Sequence, residues 1–408
     1  MGETIVITGM GAVTPIGVGV KSYWDNLIQG ACGTGHITRF DPSGLAVRIA
    51  AEVKNFHAGE VLPRHLLRQT DAFTQYAYAA AEEAMGTETP AEPERMGIVM
   101  GTAMAGVATT ASTQEALTKA VHKNVGPRFI PRILANIAAA QISIAHSIRG
   151  PSLTISTACA SGGDAIAAGA TLLQTGAADA VLVVGAESIL CPLVIYSLAN
   201  AQALSRNNDD PLHACRPFDR DRSGFVIGEG GGALVLETEQ HARARRATVQ
   251  GVLAGWANNN DAFHVTNPEP DGRMAAACMR QALSMARLSP EDIGYINAHG
   301  TGTQAGDRAE AKAIQAVFGA NQPRVSSTKA ATGHMMGAGG ITEAIACLKA
   351  LQTGILPPTL NLTDPDLPLA LVAGRAECGR IRAAMSNSFG FGGQNSSLIF
   401  RGADETAI

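Results

Sequence analysis

The chain reads as an α/β protein built from two similar halves, and three observations point there. Fully apolar strand runs such as Ala180–Gly185 (AVLVVG) and Ala233–Leu236 alternate with helical runs, the pattern of strands buried within a layered sheet. The 408 residues are 46% hydrophobic and 16% charged, with 45 glycines, which suits small-residue helices packed closely on that sheet. A strand–turn–helix unit also occurs twice. Ser156-Thr157 precedes a turn whose helix ends in Leu172-Leu173-Gln174-Thr175-Gly176, and Ser327-Thr328 precedes one ending in Ala350-Leu351-Gln352-Thr353-Gly354. Thr157 to Gln174 spans 17 positions and Thr328 to Gln352 spans 24, so the second copy carries a longer loop. Two such units would bring their helix starts towards one centre. The halves are expected at residues 1–250 and 251–408.

In chain order, Thr4–Thr8 is β-branched and predicts a strand, followed by a glycine-rich turn at Gly9, Gly11 and Gly17. A dinucleotide fingerprint would need a third glycine where Thr14 stands, so a nucleotide site is not expected. Val20–Gln29 predicts a short amphipathic helix, residues 30–62 a loop-rich region, Asp71–Met85 a helix and Met96–Met100 a strand. Ala105–Ser143, helical in places and interrupted by Gly126, Pro127 and Pro131, predicts an insertion forming a lid, pocket wall or dimer surface. Leu153, Ile155 and Thr157 alternate with polar residues as a short strand that ends at Cys159.

A formal net charge of -4 argues against a general nucleic-acid binder. The seven cysteines are scattered with no CxxC pair, so neither a disulfide framework nor a zinc finger is indicated. No apolar run approaches a membrane span and no basic leader precedes the first strand. A cytoplasmic protein is expected.

Three residues stand out for chemistry. Cys159 sits at a strand-to-helix turn among Ala158, Ala160, Ser161, Gly162 and Gly163, where a substrate could approach and the helix dipole would favour thiolate. The alternative is a small buried core cysteine. His299 and His334 lie in the small-residue turns NAHGTGT and KAATGHMMGAGG, and either could instead be a hydrogen-bonded structural histidine. Taken together they allow a metal site, a papain-like protease or an acyl-transfer centre. No short-range ligand pair anchors the first and the local cysteine signature of the second is absent. Glycine-rich turns with exposed N–H groups fit the third best.

Four motifs in order, TACASG at Cys159, NAHGTGT at His299, KAATGHMMGAGG at His334 and SNSFGFGGQNSS from Ser386, resemble the β-ketoacyl-acyl carrier protein synthases of elongating KAS II type. The resemblance runs from Ile5 to about Arg401. It implies a thiolase-like fold, a duplicated α-β-α-β-α architecture with two mixed sheets, the nucleophilic cysteine in the first half and both catalytic histidines in the second. It implies decarboxylative Claisen condensation of malonyl-acyl carrier protein with a Cys159-bound acyl chain, in fatty acid or type II polyketide or polyene elongation. By resemblance, His299 and His334 bind the malonyl thioester carbonyl, and the N–H groups of Cys159 and Phe391 form an oxyanion hole. Lys329 and Glu343 are a supporting pair, while Asp307 and Glu310 look structural with a possible share in tuning. Met104 and Val107 face the acyl tunnel, Phe129 reaches the neighbouring subunit's pocket, Thr266 and Thr303 touch the pantetheine arm, and Phe389 lines the substrate site. The resemblance calls for no metal or organic cofactor, the substrates riding on the phosphopantetheine of acyl carrier protein. Expected partners are that carrier and a second subunit, either an identical copy or a chain-length factor homologue; no nucleic acid or membrane is expected. Arg64, Arg68, Arg128, Arg132 and Arg206 could form a basic rim for an acidic carrier, thinned by His65 and Gln69. Asn267 stands where Ser is common beside the pantetheine arm, so that wall is expected to differ. Ala160 and Gln394 stand where many fatty-acid enzymes carry Thr, and Met104 where Ile is common. These three departures, with the thinned basic rim, lean towards a specialised pathway. Chain-length factors lack the nucleophile, which sets this chain apart from a non-catalytic partner.

Overall fold

A computed structural model describes residues 3–87, 89–119 and 125–403. Ten strands carry the fold: β1 (Ile5–Thr14), β2 (Met96–Gly101), β3 (Ser152–Ile155), β4 (Ala180–Glu187), β5 (Gly230–Thr238), β6 (Gly251–Asn260), β7 (Ile293–Asn297), β8 (Arg324–Ser326), β9 (Ala383–Gly390) and β10 (Gln394–Arg401). Their hydrogen-bonded order is β3-β2-β4-β5-β1 in the first half and β8-β7-β9-β10-β6 in the second. Each set has two parallel pairings followed by two antiparallel ones, so topology as well as order is repeated. Both sheets are mixed, as expected. They are not separate, however: Ile5, Val6 and Ile7 of β1 pair with Leu253, Val252 and Gly251 of β6 and join them into one hydrogen-bonded run.

Five helices set the layers: α1 (Ala72–Met85), α2 (Ser161–Gln174), α3 (Arg273–Ala286), α4 (Gln304–Phe318) and α5 (Gly339–Thr353). α1 covers the outer face of the first sheet, α3 lies on the second with α4 against it, and α2 and α5 fill the space between. The apolar strands are buried on both faces with the period of two that a strand imposes. Val181 and Val183 face the central helices, while Leu182 and Val184 face α1. Burial of each such side chain contributes ~1.5–3 kcal/mol.

One expectation is corrected. The glycine-rich turn after Thr8 is strand: β1 runs on through Gly9 and Gly11 to Thr14. A Cβ at Gly9 or Gly11 would lie 1.9 Å from the carbonyl oxygen of Ala84 or Ala80, so these glycines let α1 lie directly on the strand. The insertion after Gly101 folds as helices Val107–Thr118, Phe129–Ile133 and Ile137–His146, with residues 120–124 outside the described set. Among the described residues no helix is long and apolar enough to cross a membrane.

The repeated turns converge as their sequences suggest. α2 and α5 cross at their starts, where a Cβ on Gly162 would lie 2.7 Å from Gly337 O and one on Gly340 2.5 Å from Gly163 N. Each helix is preceded by a 3-10 turn, Ala158–Ala160 or Met336–Ala338, whose first residue has a positive φ, 52° at Ala158 and 46° at Met336. From those residues to Gly176 and Gly354 the two copies match position for position. The extra length of the second copy is Lys329–Met335, the segment that carries His334.

Candidate active site

Cys159, His299 and His334 line one cavity of about 710 Å³ together with Met104, Phe225, Thr266, Thr303, Met336, Phe389 and Phe391. Each arrives on a separately anchored turn. Cys159 follows the strained Ala158; the Ser161 hydroxyl accepts from Thr157 N (2.9 Å) and donates to Ala158 O (2.6 Å), clamping the turn. The Thr157 hydroxyl donates to Asp164 on α2 at 2.7 Å. Gly390 lets the β9 end lie against this turn, since a Cβ there would be 2.8 Å from Thr157 O and 3.1 Å from Cys159 N.

His334 is held by its backbone. Its N–H donates to Val226 O at 2.7 Å and its carbonyl accepts from Gly228 N at 2.9 Å. The His299 turn is held by Glu310 on α4, which accepts from His299 N (2.8 Å) and Gly300 N (2.7 Å). Asp307, one turn earlier, accepts from Phe218 N (2.8 Å) and Gly302 N (3.1 Å), with the buried Arg222 3.7 Å away. Both carboxylates therefore order the loop, and burial pushes Asp307 up to about 6 and Glu310 up to about 7.

The imidazoles of His299 and His334 stand edge to face, 5.3 Å between centroids, with Phe225 5.2 Å from His334 and Phe389 5.9 Å from His299. Burial, then the Lys329 cation, holds both well below the usual imidazole range, with His334 a further influence on His299. Both are thus neutral at physiological pH. His299 Nδ1 and both ring nitrogens of His334 are buried without a hydrogen-bond partner among the described residues. Polar atoms are costly to keep in that condition unless a ligand engages them. Lys329 and Glu343, 1% and 3% exposed, form an ion pair beneath the histidines.

The thiol departs from expectation. Burial pushes Cys159 up to about 11, against downward pulls from the Phe391 N–H and the Lys329 cation and an upward push from Glu187. The cysteine lies in the 3-10 turn ahead of α2, and its accessible surface is cavity wall, so loss of hydration outweighs the helix start.

Of the other expected residues, Met104, Thr266, Thr303, Phe389 and Phe391 line the cavity. Val107 is not among the cavity-lining residues and packs, like Cys159, against the apolar cluster that holds Met336. Phe129 begins the helix Phe129–Ile133 and is not among the cavity-lining residues of its own chain. Arg64, Arg68, Arg128 and Arg206 are exposed, and Arg132 is half-buried. Glu187, at the end of β4, is a residue that sequence reasoning missed. It is fully buried and accepts from Ala103 N (2.7 Å), Met104 N (3.1 Å), Gly337 N (3.2 Å) and the Thr102 hydroxyl (3.1 Å), tying the Met104 wall to the second-copy turn. An acidic residue ending an otherwise apolar strand was the available signal.

The family model for the beta-ketoacyl synthase N-terminal domain matches residues 2–242, and that for the beta-ketoacyl synthase C-terminal domain matches residues 250–363. The chain is 41% identical over 407 residues to a 3-oxoacyl-[acyl-carrier-protein] synthase 2 of Synechocystis sp., covering 98% of each. Among solved structures it resembles the ishigamide ketosynthase/chain length factor (TM-score 0.92, 34% identity, 98% of this chain and 100% of that one). It also resembles a type II polyketide acyl-carrier protein complex with its ketosynthase bound to the hexaketide (TM-score 0.88, 30% identity, 99% and 100%).

Proposed function

The chain belongs to the β-ketoacyl synthase family and is a condensing acyltransferase; we propose that it joins a Cys159-bound acyl chain to malonyl-acyl carrier protein with loss of carbon dioxide. The observation that carries this reading is a thiol and two neutral imidazoles around one cavity, with their unpartnered ring nitrogens buried at its wall. In this scheme residues 1–250 supply the nucleophile and residues 251–408 supply both histidines.

In the first step the Cys159 sulfur attacks the acyl thioester carbonyl; the carrier's sulfur leaves and takes up the proton that the thiol gives up. Exchange of one thioester for another is nearly isoenergetic, so a thiol with a raised proton affinity suffices if its proton leaves as attack proceeds. The N–H groups of Cys159 and Phe391 hold the oxyanion. Next the carbon–carboxylate bond of the malonyl group breaks. Its electron pair becomes an enolate, whose oxygen accepts hydrogen bonds from neutral His299 and His334. The enolate carbon then attacks the acyl carbonyl, the Cys159 sulfur leaves, and a β-ketoacyl thioester departs on its carrier. Lys329, paired with Glu343, keeps the histidines neutral and orients them.

Thr266, Thr303 and Phe389 are proposed contacts of the phosphopantetheine arm and thioester, Met104 and Val107 of the acyl side, and Phe129 of a partner subunit. The reading calls on no further cofactor. Acyl carrier protein is the proposed partner, supported by the carrier-bound ketosynthase among the structural relatives. A cytoplasmic location suits seven free cysteines. Pairing with a chain-length factor is a second reading, favoured by the likeness to the ishigamide ketosynthase/chain length factor.

Incubation with acyl-acyl carrier protein and malonyl-acyl carrier protein, followed by mass analysis, should yield a carrier lengthened by a β-keto unit. Release of carbon dioxide without that product would remove the condensing role. Coexpression with a cysteine-lacking homologue separates the assemblies: a one-to-one complex supports the heterodimer, and a stable active homodimer overturns it.

A further inference from the structure

We propose that Met336 selects the shape of the acyl chain that can reach Cys159, admitting unbranched chains and excluding those branched next to the carbonyl. The inference rests on the condensing role proposed above and names the substrate class of the same site.

Met336 occupies, in the second copy of the turn, the position that Ala158 holds in the first, and Gly337 falls where Cys159 does. Gly337 cannot carry a side chain there, because a Cβ would lie 2.7 Å from Thr102 Cα and 3.0 Å from a Glu187 oxygen. The second copy therefore presents its thioether one residue earlier, and Met336 Sδ lies 3.7 Å from Cys159 Sγ. It is the side chain against which the nucleophile rests.

The surroundings of the sulfur decide where an acyl chain must go. His299 and His334 line the cavity beside the sulfur, and the Phe391 N–H reaches the sulfur itself. The apolar side holds Met336, packed in one cluster with Ile189, Val194, Ile195 and Phe225. A chain bonded to Cys159 through its carbonyl carbon sets its first carbons against the Met336 thioether.

Met336 can yield only by moving its side chain. Its backbone is fixed at φ 46° in a 3-10 turn closed by the Ala338 N–H to Met335 O bond of 3.0 Å. The side chain is unbranched, with three torsions, and swings at low cost. It can fold aside for a chain that is one methylene wide. A methyl branch beside the carbonyl would need room on two sides of the chain at once, and the rigid turn denies it.

The test compares Cys159 acylation rates, read by mass adduct, from hexanoyl- and 2-methylbutanoyl-acyl carrier protein. The native protein should favour the straight chain. Met336→Ala should raise the branched-to-straight ratio by about tenfold or more, the scale of discrimination set by a methylene or two in an apolar pocket. The turn accepts alanine, since Ala158 holds the matching φ of 52°. Met336→Leu should keep the ratio within about threefold of native, because it nearly conserves volume. An unchanged ratio in Met336→Ala, or a native protein that takes both chains equally, would overturn the proposal. Should the alanine variant not fold, methyl-labelled methionine in the native protein decides: straight-chain acylation must shift the Met336 methyl signal, and a stationary signal refutes the contact. No adduct with any chain would instead count against the condensing role itself.

Discussion

Replacing Lys329 by Met leaves Glu343 as a buried carboxylate without its partner, and the cost can be bounded from the structure. Both side chains are almost wholly enclosed, at 1% and 3% exposure. Removing one member of such a pair costs ~3–5 kcal/mol, a large share of the ~5–15 kcal/mol that holds a typical protein folded. The loss has a distinctive pH dependence. Burial already raises the Glu343 carboxyl above its ordinary value and Lys329 pulls it down; without the lysine it rises further. A carboxyl raised in the folded state favours folding where it is protonated, and that advantage disappears as pH climbs from the unfolded value through the folded one. Lys329→Met should therefore be less destabilised at about pH 5 than at about pH 8. Removing both charges in Lys329→Met/Glu343→Leu should recover at least half of the loss, since apolar replacement of a whole buried pair is often neutral. Urea unfolding followed by tryptophan fluorescence, with Trp24 buried near the central core, reads these two variants and Glu343→Leu alone. A loss under ~1 kcal/mol, or a double variant whose loss equals the sum of the two single ones, would refute the reasoning.

Iodoacetamide alkylation of Cys159, followed on its own peptide, should accelerate through about pH 10, because only thiolate reacts and burial pushes this thiol up to about 11. A plateau near pH ~8.5 would mean an ordinary thiol. Gly11→Ala must displace α1, whose Ala80 carbonyl oxygen lies 1.9 Å from the new Cβ, and should cost ~1–3 kcal/mol or more. Gly44→Ala, with nothing within 4 Å, should stay within ~0.5 kcal/mol, and equal losses in the two would discredit the packing argument. Glu310→Gln can accept only one of the His299 and Gly300 N–H groups, so decarboxylation should slow and lose any pH step at about 7; an unaltered profile would deny Glu310 a role in holding the histidine turn.

The strands and the repeated turn were legible because an apolar run buried on both faces and a recurrent helix ending leave local traces. Cys159, His299 and His334 were legible for a related reason: each sits in a small-residue turn that nothing in a plain core requires. Other features depend on distant chain. Gly9 and Gly11 looked like a turn until α1 was laid across them, since a glycine in a strand and a glycine in a turn read alike. Glu187 gained meaning only when Ala103, Met104 and Gly337 brought three N–H groups to it. The Cys159 thiol was misjudged because a helix start is visible in sequence and the depth of a cavity is not. Phe129 has no place in this chain's cavity, and its proposed role belongs to a subunit contact that one chain does not contain.

The central claim is that Cys159 carries the acyl chain while His299 and His334 act on the malonyl group. Mass analysis after incubation with acyl-acyl carrier protein tests it most directly. The native protein and His334→Ala should both gain one acyl adduct on Cys159, the histidine variant then failing to release carbon dioxide from malonyl-acyl carrier protein. Cys159→Ala should gain none. An adduct persisting in Cys159→Ala, or acylation and decarboxylation lost equally in a folded His334→Ala, would contradict this division of labour.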